Sequence, residues 1–134
     1  MPRAFPLLLT LAGILLAGTL SAHHSQTAVF DMTKPLTVKG TLVKIDWVNP
    51  HIVMFVDAAG ADGSIESWKL ESNPPSWYRH VGLSRADFAK AIGQTVTVGG
   101  VRARDGSRYA YMRKFTFPGG DSIELEYGGG ETKP

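Results

Sequence analysis

Between Leu36 and Val48 the chain reads LTVKGTLVKIDWV. β-branched residues dominate this run in rough alternation with polar ones, a pattern of period two that suits a strand and not an amphipathic helix. A strand of that length rarely stays straight, and Gly40 inside it predicts a bend or bulge. Asn49-Pro50 breaks the run, and His51–Asp57 (HIVMFVD) is predicted as a second strand. After a loop over Ala58–Gly63, a third strand is predicted over Ser64–Glu71, with Ile65, Trp68 and Leu70 as its apolar members. Asn73-Pro74-Pro75 ends it and opens an irregular connection through Trp77, Tyr78 and Gly82. Ser84 is a good N-cap with Asp87 three residues on, Phe88, Ala91 and Ile92 form a helical apolar face, and Gly93 is a natural stop. Two further strands are predicted over Gln94–Ala103 and Tyr109–Phe117, joined by the Arg104–Ser107 turn, and Ser122–Tyr127 adds a sixth. Three strands, one short helix and two or three strands make an all-β (mainly β) chain. That is the order of a small OB-fold-like five- to six-stranded barrel, with a plain β-sandwich as the competing architecture.

The ends of the chain do not join this pattern. Arg3 is followed by an apolar run from Leu7 to Leu16 and then by small residues through Ala22. A cationic start, a short apolar core and a small-residue cleavage site are the parts of a secretory signal peptide, so residues 1–22 are expected to be removed. The apolar stretch is short of the roughly 20 residues a membrane span needs, which argues against an uncleaved anchor. The expected domain is then a single unit over residues 23–127, and 128–134 is a Gly-rich, charged tail. Export to a periplasm is the expected localisation, with no stable membrane anchor after cleavage. Loss of Arg3 leaves 13 Lys+Arg against 12 Asp+Glu, too even a balance to argue for nucleic acid.

The chain has no Cys, which excludes disulfides, thiolate metal sites, iron–sulfur clusters and a Cys nucleophile. His, Met and a new terminal amine remain as soft or borderline ligands. Cleavage after Ala22 makes His23 the terminus, followed by His24, so an amine and its own imidazole form a chelate. Cleavage after Ser21 places His23 second and His24 third, and amine, amides and imidazole then suit Cu(II) or Ni(II) in a square plane. His51, at the mouth of the second strand beside Trp47, is the third candidate, giving a copper-type set of His23, His24 and His51. The plainer readings are two polar residues at a chain end, and a His that stabilises the Asn-Pro turn. Met54 would suit Cu(I), but strand alternation puts it on the face opposite His51. His80, next to Arg79, reads as solvated.

A second class of function is a ligand- or partner-binding face. OB-like barrels present strands 2 and 3 and their flanking loops to extended ligands. Trp47, Asn49, Trp68, Trp77 and Arg104 are the residues predicted to line such a face, with Phe55 and Tyr78 as further stacking rings and Arg102, Arg108, Arg113 and Lys114 favouring an anion. The alternative for Trp47 and Trp68 is the core. A small ligand or a partner protein is expected there, and nucleic acid is not, because of export. No Gly-x-Ser-x-Gly elbow, phosphate loop or His-Glu-x-x-His helix is present, so an enzyme is not expected.

Several of these elements occur together in a known family. His23-His24-Ser25, Phe30-Asp31, Val38-x-Gly40-Thr41-Leu42, Trp47-Val48-Asn49-Pro50-His51, Ser67-Trp68-Lys69-Leu70-Glu71, Val96–Gly100 and Arg104–Ser107 resemble the exported bacterial family of unknown function DUF6152. Leu83 after Gly82, and Lys90–Gln94, depart from the family pattern of a Gly-Trp and a Lys-Pro-Gly-Asp-type turn. The resemblance implies export and a small β domain, and brings no activity with it.

Overall fold

The computed structural model describes residues 25–125; the expected leader, His23, His24 and the 128–134 tail lie outside them. The described elements run α1 (Gln26–Val29), β1 (Phe30–Asp46), β2 (Val53–Ala59), β3 (Ile65–Glu71), α2 (Pro75–His80), α3 (Arg85–Ala89), β4 (Thr95–Ala103), β5 (Tyr109–Thr116) and β6 (Ser122–Glu124). The strands form one sheet in the order β3-β2-β1-β4-β5-β6, and an additional β3–β5 pairing closes it into a ring. Neighbours pair antiparallel, whereas β3 and β5 pair parallel over Lys69–Glu71 and Tyr109–Tyr111. The mainly β expectation is borne out.

β1 is the spine of the ring because it serves two partners. Its first part pairs with β4 as far as Thr41↔Thr95, and from Thr41↔Asp57 onward it pairs with β2. The changeover falls at Gly40, where a Cβ would stand 2.2 Å from the Asp57 carbonyl oxygen. Only glycine lets the two backbones approach this closely. The bulge itself lies two residues on, between Leu42 and Lys44, leaving Val43 unpaired and 45% exposed. β1 also starts six residues before the predicted Leu36, and Trp47 and Val48 fall outside it. Pro35 is accommodated because the β1–β4 register is irregular between Phe30 and Pro35.

The segment between β3 and β4 holds two short helices and not one. Pro75 opens α2 at a position where its missing N–H costs nothing and its fixed φ helps. For α3, the Asp87 carboxylate accepts from both the backbone N–H and the hydroxyl of Ser84, each at 2.8 Å. These bonds hold the Asp87 carboxyl below the usual carboxylate range. Gly93 stops the turn at φ +84°, as predicted. Phe88 and Ala91 are buried but Ile92 is 41% exposed, because α3 ends at Ala89 and the chain leaves the helical path before it.

Inside the ring, Val38, Leu42, Ile45, Met54, Val56, Leu70, Val96, Val98, Ala110, Met112 and Phe115 pack with Ile52, Tyr78 and Phe88. The aromatic rings of α2 and α3 seal one end: Phe88 lies 5.2 Å from each of Tyr78, Phe115 and Phe117. A second, smaller cluster of Phe30, Val101, Ala103 and Tyr111 forms where the N-terminal segment folds over β4 and β5. Arg104 clamps that segment, its Nε donating to the Thr27 carbonyl at 2.9 Å.

Gly40→Ala is expected to destabilise the domain by about 1–3 kcal/mol, because the clash is with backbone that cannot move independently. Gly119→Ala, which meets nothing within 4 Å, is the control and is expected to stay within about 0.5 kcal/mol of the parent in urea unfolding. Asp31, Asp62 and Asp105 are held low by the hydroxyl and N–H of a Thr or Ser two residues on, as Asp87 is by Ser84. A carboxylate with a depressed folded pKa stabilises above its unfolded value and loses that contribution as pH falls through the folded one. Urea midpoints are therefore expected to fall with acidification below about pH 4 and to be flat above it with respect to these four groups.

Candidate functional site

The Asn49-Pro50 element brings the chain to the rim of the ring through a cis peptide bond and delivers His51 just before β2. Ile52 anchors the turn: its N–H donates to the Asn73 carbonyl at 3.3 Å, and its carbonyl accepts from Ser72 N–H at 2.9 Å. These bonds extend the β2–β3 ladder past its regular end and set His51 against Ser72. His51 Nδ1 lies 3.0 Å from the Ser72 carbonyl oxygen. A carbonyl only accepts, so the proton sits on Nδ1 and the lone pair on Nε2. The His51 side chain is 35% exposed, and among the described residues Nε2 has no hydrogen-bond partner.

Three tyrosines close the other side of this rim. The Tyr109 hydroxyl donates to Glu71 Oε2, while Glu71 Oε1 stands 3.9 Å from His51 Nδ1. Burial, and then the hydrogen bond to Glu71, push the Tyr109 phenol well above its ordinary value. Tyr111 donates to Asn73 Oδ1, and the Tyr78 and Ser72 hydroxyls are bonded to each other. Burial also raises the Tyr78 phenol, and the Ser72 bond offsets part of that rise. Ser72 and Asn73 are fully buried, and among the described residues Asn73 Nδ2 has no partner. Polar side chains buried at this depth are normally satisfied, so the cluster depends on every bond it makes.

The sequence-predicted residues divide sharply. His51 reaches a half-exposed rim position with a fixed tautomer, and His23 and His24 lie outside the described residues. Met54 is fully buried inside the ring, away from His51, as alternation predicted. His80 is exposed at the end of α2. Trp68, predicted for a ligand face, is only 6% exposed and belongs to the core, with the Arg102 guanidinium 5.4 Å over its ring. Trp47 and Trp77 pack on Tyr78 at 5.3 and 5.0 Å, so they support the aromatic seal and offer no shared platform with Trp68. Asn49 is exposed beside the cis bond, and Arg104 holds the N-terminal segment. These five do not converge on one surface. Sequence reasoning missed Tyr109, Tyr111, Ser72 and Asn73 as a group; the hint available was that Tyr109 and Tyr111 alternate on one face of their strand. Among the described residues no cluster of three or more His, Asp or Glu forms a ready-made metal site, and no helix is long and apolar enough to cross a membrane.

A family model described as a family of unknown function, DUF6152, matches residues 12–112. The chain belongs to that family. The match takes in His23 and His24, the Asn-Pro-His element, Glu71 and the tyrosines of β5 up to Met112, and so spans every element of the rim just described. No curated protein compared with the chain matches it.

Tyr111→Phe removes the hydrogen bond that the Asn73 side chain accepts, the only one it makes among the described residues. The substitution is expected to cost about 1–3 kcal/mol, read as a lower urea midpoint with an unchanged denaturant slope.

Proposed function

We propose that this member of the DUF6152 family is an exported, periplasmic binding protein, not an enzyme, whose site holds a copper-type ion on His51 together with His23 and His24. The closed ring is read here as an OB-like barrel, which commonly carries its ligands on the outer wall and rim. The observation that carries the proposal is the Nδ1 contact of His51 with the Ser72 carbonyl at 3.0 Å. Metal-binding imidazoles ordinarily donate their second N–H to a carbonyl or carboxylate, which fixes the ring and presents the other nitrogen. His51 already has this arrangement at a half-exposed position. A line of contacts from the start of β1 supports the reading too. Phe30 packs edge-on against Tyr109 at 4.9 Å, Tyr109 bonds Glu71, and Glu71 faces His51. Phe30, the first residue of β1, therefore stands three side-chain contacts from His51.

A second reading, a ligand surface on the outer wall, has its own support in residues that, apart from Phe55, differ from those first predicted. Lys44, Phe55, Lys69 and Tyr109 lie in one register row across β1, β2, β3 and β5. Lys44 stands 5.1 Å over Phe55 and Lys69 stands 4.7 Å over Tyr109. Such a row of alternating cations and rings would suit an extended ligand.

The protein recovered from its export route is expected to begin at Ala22 or His23 by intact mass and to bind Cu(II) in calorimetry. His51→Ala is expected to weaken that binding by at least about tenfold. Equal affinity in His51→Ala would sink the structured site, and weakening only on substitution of Lys44 and Lys69 would favour the outer-wall reading.

A further inference from the structure

We infer that Glu71 and Tyr109 are positioning residues of the His51 site, and that through them the imidazole and the N-terminal segment are set by one shared contact. The inference rests on the proposed metal site and adds how that site is assembled.

β3 and β5 pair parallel, with Lys69↔Tyr109 and Glu71↔Tyr111 in register. Tyr109 therefore stands one pleat along from Glu71 on the neighbouring strand, within reach of its carboxylate, and its hydroxyl donates to Oε2. That bond leaves Oε1 to face His51 Nδ1 at 3.9 Å, beyond a direct hydrogen bond but close enough to favour a proton on that nitrogen. Glu71 immediately precedes Ser72, whose carbonyl is the direct acceptor. Carboxylate and carbonyl thus act on the same ring nitrogen, and both keep the lone pair on Nε2.

The other face of Tyr109 has a separate task. Its ring meets Phe30 edge-on at 4.9 Å, and Lys69 lies 4.7 Å over the ring. Phe30 is fully buried and is the first residue of β1, so it fixes where α1 joins the sheet. One tyrosine therefore touches the N-terminal anchor with its ring and the imidazole's carboxylate neighbour with its hydroxyl. The groups around this point are few: Glu71 and Lys69 from β3, Tyr109 and Tyr111 from β5, His51 before β2, and Phe30 and Val29 from the N-terminal segment. Removing the hydroxyl alone keeps the ring packing and frees the carboxylate to turn away, so Tyr109→Phe isolates the positioning role from the structural one.

The test uses the full processed protein, metal-free, with nitrogen-15 in its histidines. In the parent, the neutral imidazole of His51 is expected to carry its proton on Nδ1 and to leave Nε2 bare. Tyr109→Phe and Glu71→Gln are each expected to give a mixture of the two tautomers and to weaken Cu(II) binding by about 10- to 100-fold. The double variant is expected to be no worse than the poorer single one. A parent with the proton on Nε2 overturns the inference, as does an unchanged tautomer and affinity in both variants. If the tautomers shift as expected but no form binds copper, the positioning holds and the metal reading fails. The Tyr109→Phe melt, expected to stay close to the parent, separates these results from loss of fold.

Discussion

The parallel pairing of Lys69–Glu71 with Tyr109–Tyr111 turns a six-stranded sheet into a closed ring. Without it β3 and β5 would present open edges, and the apolar side chains of Met54, Leu70, Ala110 and Met112 would lack the opposite wall that buries them. Parallel pairing between strands so far apart in sequence needs a long crossover, and the segment from Ser72 to Gln94 together with β4 supplies it. The same segment carries α2 and α3, whose Tyr78 and Phe88 seal one end of the ring. Closure, seal and rim are therefore parts of one arrangement.

The rim carries an energetic cost that the apolar core has to offset. Ser72 and Asn73 are buried without exposure, and one Asn73 donor is unmatched. A hydrophobic residue at Asn73 would remove that donor, but it would also take away the acceptor of the buried Tyr111 hydroxyl, and an unmet buried polar group costs on the order of 1–3 kcal/mol. What the polar residues add is direction. The Ser72 carbonyl selects the protonated nitrogen of His51, and the tyrosine hydroxyls fix Glu71 and Asn73 in single orientations. Such networks specify one geometry where an apolar cluster would tolerate several.

How far the sequence disclosed this follows from where each signal resides. β2, β3, β4 and β5 lie within two residues of their predicted bounds because their alternation is local and strong. The early start of β1 was hidden, since Asp31, Thr33, Lys34 and Pro35 interrupt the apolar pattern and the β4 pairs at Phe30 and Pro35 only bracket the irregular stretch between them. α2 was hidden because Pro74-Pro75 reads as a loop, although proline is at home in a first helical turn. His51 stood out through its position after Asn-Pro. Its partners did not, because Glu71 and Tyr109 meet only through a parallel closure across 38 residues of sequence. Trp68 misled for the opposite reason: a tryptophan among charged neighbours resembles a binding residue, and here it fills the core under Arg102.

The division of β1 between two partners also bears on how the chain comes together as it is made. Its second half can zip onto β2 within a few residues, but Phe30 must wait for Ala103 and Val38 for Val98. Until β4 has emerged, ten residues of extended, partly apolar chain have no partner, the condition in which strands find one another between molecules. Lys34, Pro35 and Lys39 sit in that waiting half, and charge and proline are the residues that discourage such pairing. Their value is then to the nascent chain more than to the finished ring, where Lys39 and Pro35 hold an exposed row that contributes little to the core.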